Sequence, residues 1–150
     1  MTLFLASAIR EAWEEVHINP FRLIYLGPLP TYTLKMFQRV IFPSVCFLES
    51  KSHYQLNDEV DGIIDMPLSA FLNESNYHRL YIEMPKTPDC QKEFPCLLFK
   101  EANGEEHILW GATFFLIMNF LQIVHDFQIP AIPAERYISK TLLPEYHHHS

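Results

Sequence analysis

The chain has 150 residues, 49% of them hydrophobic and 19% charged, with 18 Asp and Glu against 11 Lys and Arg for a formal charge of −7. That composition excludes a disordered chain and fits one domain, residues 1–150, large enough to bury a core. The acidic balance excludes nucleic acid as the main partner, because phosphate backbones draw basic faces, but it leaves open a phosphorylated small molecule met through a bound cation.

Leu5, Ile9, Ala12 and Val16 recur at intervals of four, three and four, which predicts an amphipathic helix. Its other side carries Glu11, Glu14 and Glu15. Positions three and four apart are neighbours on a helix, so the three carboxylates crowd together and each like-charged pair costs about 0.2–0.5 kcal/mol. A divalent cation would remove that cost, and a set of hard oxygen donors suits Mg²⁺ or Mn²⁺ better than zinc or copper. Arg10 stands one turn before Glu14 and can clamp it. The same spacing is equally that of an ordinary solvated acidic face. Asn19-Pro20 should end the helix near His17, since the residue before a proline is pushed out of the helical region.

Beyond the helix the pattern is mixed. Residues 22–26 and 38–48 are rich in β-branched and aromatic side chains and predict strands, with Pro43 marking an edge or a bulge in the second. Residues 59–65 predict a further short strand, and residues 67–72 a short helix with Pro67 in its first turn. Residues 97–100 and 107–110 flank Asn103-Gly104, a strong hairpin signal. Residues 113–125 predict the second long helix. The apolar run 112–124 is interrupted by Asn119 and Gln122 and is shorter than the roughly 20 residues a bilayer span needs, so it predicts a buried helix and no membrane partner. Pro130 and Pro133 then predict an extended tail over 128–150, beyond a core of residues 5–127. Strands mixed with two main helices imply an α+β fold or an α/β/α sandwich.

Cys46, Cys90 and Cys96 are an odd number without framework spacing, which implies a reducing compartment. Cys90 and Cys96 read either as free thiols or as a metal pair. The early acidic residues do not fit a signal peptide, so a cytoplasmic location is expected. His147, His148 and His149 are set aside from the site as terminal residues of either native or added origin.

Arg10-Glu11-Ala12-Trp13-Glu14-Glu15-Val16-His17-Ile18 resembles the second half of the Nudix box, R-E-U-x-E-E-x-G-U with U a bulky aliphatic residue. Ala12 is small for its position. His17 replaces the glycine that ends the helix in a left-handed turn, a conformation in which His is enriched among non-glycine residues. Later segments resemble the coenzyme A diphosphatase branch of that family. They are Gly27-Pro28-Leu29-Pro30 with Tyr32-Thr33, Pro43-Ser44-Val45, Asn57-Asp58-Glu59-Val60 with Met66-Pro67-Leu68, Tyr77-His78, and Trp110-Gly111-Ala112-Thr113.

The resemblance spans about residues 5–125 and implies a Nudix fold, a mixed sheet between helices. It implies metal-dependent hydrolysis of a nucleoside diphosphate linked to another moiety, coenzyme A first, to 3′,5′-ADP and 4′-phosphopantetheine. The alternatives are NADH or ADP-ribose as substrate, or a weakly catalytic binding module. By the same resemblance Glu11, Glu14, Glu15 and Glu59 would hold Mg²⁺ or Mn²⁺, Glu14, Glu15 and Glu59 would serve catalysis, and Arg10 would orient a carboxylate. Glu59 otherwise reads as a solvated loop carboxylate. His78 reads as a phosphate contact or a loop contact, and Trp110 as a substrate-side or a core aromatic. The family's upstream glycine loop, its further carboxylate and the coenzyme A motif have no counterpart in Met1–Phe4, so a weak enzyme, N-terminally incomplete, is expected. The family has bacterial cytoplasmic and peroxisomal members, and no Ser-Lys-Leu address closes this sequence.

Overall fold

The computed structural model describes residues 3–34, 38–49, 54–83 and 92–141, with only the backbone at Lys92. Helices and a mixed sheet make the chain α+β, and it divides into two compact units between Asp65 and Met66.

The first unit opens with α1, Leu3–Val16. Its end is an αL cap: His17 takes φ 56°, its N–H donates to the Trp13 carbonyl at 3.0 Å, and the Ile18 N–H donates to Ala12 at 3.2 Å. Asn19 then starts a single 3₁₀ turn at Pro20–Arg22, its side-chain oxygen accepting from the Phe21 N–H. Strand β1, Leu23–Pro28, pairs antiparallel with β4, Ser44–Leu48, with a bulge between Tyr25 and Gly27. Between them β2, Tyr32–Leu34, and β3, Arg39–Ile41, form a separate antiparallel pair.

The single strand expected over 38–48 is therefore two. Gln38 sits at φ 51°, outside the strand region, and Pro43 has no N–H to give a ladder, so β3 and β4 part on either side of it. The strand expected at 59–65 is absent. Asn57 curls the chain instead, its side chain accepting from the Glu59 N–H and its carbonyl from Val60. Residues 61–65 are all exposed, Ile63 and Ile64 included, so their apolar side chains have no buried face to line.

The second unit holds a four-stranded sheet in the order β7-β6-β5-β8, formed by β5 (Tyr77–Glu83), β6 (Lys92–Lys100), β7 (Glu106–Trp110) and β8 (Tyr137–Thr141). The β6–β7 hairpin turns at Asn103-Gly104 as expected, and Gly104 supplies the φ of 90° that the turn needs. Strand β8 lies parallel to β5, so the segment expected as an extended tail contributes a strand of its own. The alternation of Tyr137 to Thr141 is mostly polar and exposed, and only Ile138 packs against a core cluster, which hides the strand from hydrophobic patterning.

Helices α2, Leu68–Leu72, and α3, Gly111–His125, complete the unit. Phe114, Met118 and Leu121 form a helical stripe that packs with Phe71, Tyr77 and Leu97. Leu80, Ile82 and Cys96 point to the other side of the sheet, where Phe94, Ile108, Trp110 and Ile138 join them. The α3 helix is thus buried along that stripe only, with Ile123 and Val124 exposed. No described helix is long and apolar enough to cross a membrane.

Candidate functional site

Glu11 and Glu14 are exposed on α1 and Glu15 is half-buried. Arg10 bridges the first two: Nη2 donates to Glu11 Oε1 at 2.9 Å and Nη1 to Glu14 Oε1 at 3.4 Å. At such exposure the pairs are worth only about 0.2–1 kcal/mol each, so they direct the carboxylates without fixing them. The guanidinium already offsets part of the crowding of negative charge. The three carboxylates share a side of the helix but do not bring one oxygen each within 4.8 Å of the others; among the described residues, one other trio does.

The C-terminal end of α1 is where a second acidic segment arrives. A helix leaves its last four carbonyls without partners inside the helix. Here the Val16 carbonyl accepts from the Gln55 N–H at 3.3 Å, and the Glu15 carbonyl accepts from the Asn57 N–H at 3.0 Å. The His17 ring closes the joint, with Nδ1 at 3.1 Å from the Gln55 carbonyl; a carbonyl only accepts, so Nδ1 donates. Glu59 lies two residues after Asn57, and its N–H is held by the Asn57 side chain at 3.0 Å. At 3.8 Å per step its Cα lies within about 7.6 Å of that of Asn57, which is itself bonded to the helix. The Glu59 side chain is exposed.

His78 lies on β5 rather than on a loop, with Nδ1 at 3.0 Å from the Asn76 carbonyl. Trp110 packs among core aromatics, its ring 5.9 Å from that of Phe94. Tyr77 is fully buried, and its hydroxyl donates to the Phe71 carbonyl at 2.7 Å. Cys46 and Cys96 are free thiols, while Cys90 and the terminal histidines lie outside the described residues.

Sequence reasoning missed the trio Glu101, Glu105 and His107, whose donor atoms lie within 4.8 Å of one another in the β6–β7 hairpin. His107 Nε2 is 3.1 Å from Glu101 Oε1, and the Glu101 N–H donates to the Glu105 carbonyl at 2.8 Å. Asn103-Gly104 between two acidic residues was the available signal, since a tight turn folds its two flanks together.

Comparison with known proteins gives relatives over about half of the chain. It is 39% identical over 80 residues to the uncharacterized Nudix hydrolase NudL of Citrobacter koseri, and 38% identical over 80 residues to that of Klebsiella pneumoniae; each stretch is 52% of this chain and 41% of the relative. It is 35% identical over 79 residues to the peroxisomal coenzyme A diphosphatase ndx-8 of Caenorhabditis elegans, 51% of this chain and 33% of that protein. The matched stretch thus spans about two fifths or less of these relatives. No family profile and no solved structure matches. The chain is similar in sequence to Nudix hydrolases, and the resemblance read from its residues is borne out to that extent.

Proposed function

We propose that the protein hydrolyses a nucleoside diphosphate linked to another moiety, with coenzyme A as the substrate and 3′,5′-ADP and 4′-phosphopantetheine as products, on a Nudix fold. The observation that carries this reading is the acidic side of α1 with the Glu59-bearing segment hydrogen-bonded to the end of the same helix. The relatives' names, a Nudix hydrolase and a coenzyme A diphosphatase, support it.

The donor set fits a hard divalent cation. Glu11, Glu14, Glu15 and Glu59 offer carboxylate oxygens, which suit Mg²⁺ or Mn²⁺. Bound there, such an ion would neutralise the diphosphate and lower the pKa of attacking water. Arg10 orients Glu11 and Glu14 through charge-assisted hydrogen bonds. Glu14, Glu15 and Glu59 are the proposed catalytic carboxylates, and one of them takes the proton from water as it attacks phosphorus. The new P–O bond forms as the anhydride P–O bond breaks, and the leaving phosphate takes the electron pair. The proposed partner is a small nucleotide, in the cytoplasm or, in a eukaryote, in peroxisomes.

A panel of coenzyme A, NADH and ADP-ribose, with and without Mg²⁺, tests the reading. Metal-dependent release of 3′,5′-ADP from coenzyme A, lost in Glu14→Gln, is the expected result. Turnover of NADH or ADP-ribose alone would replace the substrate, and nucleotide binding without any turnover would replace catalysis by recognition.

A further inference from the structure

We propose that His17 is a positioning residue: its imidazole clamps the segment from Gln55 to Glu59 onto the end of α1 and thereby sets where Glu59 stands beside the helix carboxylates. The inference rests on the reading of α1 as a metal-holding helix and deepens it.

Position 17 has a positive φ of 56°, a conformation that glycine adopts at least cost. Histidine accepts that cost here and makes a contact that glycine cannot. Its Nδ1 donates to the Gln55 carbonyl, while the Gln55 and Asn57 N–H groups donate to the Val16 and Glu15 carbonyls. Three hydrogen bonds therefore join two short segments some forty residues apart in sequence, and two of them fill carbonyls that the helix end leaves open. The Trp13 ring, 5.2 Å from the His17 ring between centroids, supports the imidazole from the preceding turn. From Asn57 the restraint passes on, because its side chain fixes the Glu59 N–H and its carbonyl the Val60 N–H. Remove the imidazole and the Gln55 carbonyl must find another donor, while the two remaining bonds hold a freer segment.

Two substitutions separate the clamp from the turn. His17→Gly keeps the left-handed turn and deletes the donor. His17→Asn keeps both, since asparagine tolerates positive φ and its amide nitrogen stands about where Nδ1 does. Amide hydrogen exchange at Gln55 and Asn57 and Mn²⁺ affinity by calorimetry are read on the wild type and both variants. We expect His17→Gly to speed exchange at both amides and to weaken Mn²⁺ binding, each by about tenfold, the scale of one lost hydrogen bond, with His17→Asn near wild type. Unchanged exchange in His17→Gly would overturn the clamp, and an asparagine variant that behaves like the glycine one would overturn the hydrogen bond as its agent. Faster exchange with unchanged Mn²⁺ affinity would overturn the positioning of Glu59. A wild type that binds no Mn²⁺ would overturn the metal-helix reading and the positioning with it, while the exchange rates still decide the clamp.

Discussion

The Asn57 N–H donates to the Glu15 carbonyl at 3.0 Å, so the loop that carries Glu59 begins on the very residue that closes the acidic stretch of α1. Asn57 also shapes the turn at Glu59 through its side-chain oxygen. Asn57→Ala leaves the first bond and removes the second, freeing the Glu59 N–H. We expect metal-dependent turnover to fall several-fold while the melting temperature moves little, because the turn is at the surface. Asn57→Asp keeps the acceptor and should retain the rate. Equal rates in all three proteins would separate this turn from activity.

Leu97 is fully buried in the cluster of Tyr77, Phe114 and Leu121, whereas Ile123 on α3 is 61% exposed. Leu97→Ala should lower stability by about 2–5 kcal/mol, through lost burial and the cavity left behind. Ile123→Ala should change it by less than about 0.5 kcal/mol. Urea denaturation followed by circular dichroism measures both, and similar midpoints would contradict the placement of the core.

Burial pushes the Tyr77 hydroxyl from its ordinary value of 10 up to about 12. The unfolded tyrosine loses its proton near pH 10 and the folded one keeps it until about 12. Across that window the unfolded state binds fewer protons, so stability present below pH 10 is lost as pH rises toward 12. Tyr77→Phe should flatten this alkaline limb. It should also cost about 1–3 kcal/mol at neutral pH, because the Phe71 carbonyl loses its donor.

Burial likewise pushes the Cys96 thiol up to about 11, against smaller opposing effects of a backbone hydrogen bond at His78 and the charge of Lys140. At pH 8 only about one thiol in a thousand would be ionised at such a value. Peptide mapping after brief treatment with a thiol reagent should find Cys96 unlabelled in the native protein and labelled in urea. Labelling of Cys96 before unfolding would contradict its burial.

Legibility in the sequence tracked physical cause. The α1 helix was readable because Leu5, Ile9, Ala12 and Val16 carry the helical period, and the β6–β7 hairpin because Asn103-Gly104 demands a turn. The end of α1 at His17 was readable from the proline three residues on and from the tolerance of histidine for positive φ. Strand β8 was hidden because one apolar residue, Ile138, carries its packing. Residues 59–65 misled because the β-branched Val60, Ile63 and Ile64 say nothing about whether a partner strand exists. The residue types of the candidate site were legible, but the joint of Glu15, Val16 and His17 with Gln55 and Asn57 was not, since backbone carbonyls at a helix end carry no signature of what will fill them.

A metal site on α1 is tested most directly by calorimetric titration with Mn²⁺ of the wild type, Glu14→Gln and His107→Ala. The two variants distinguish the acidic side of α1 from the trio in the β6–β7 hairpin. Binding that weakens at least about tenfold in Glu14→Gln and is unchanged in His107→Ala is the predicted result. Binding that survives Glu14→Gln and is lost in His107→Ala would contradict a metal site on α1 and transfer it to the hairpin.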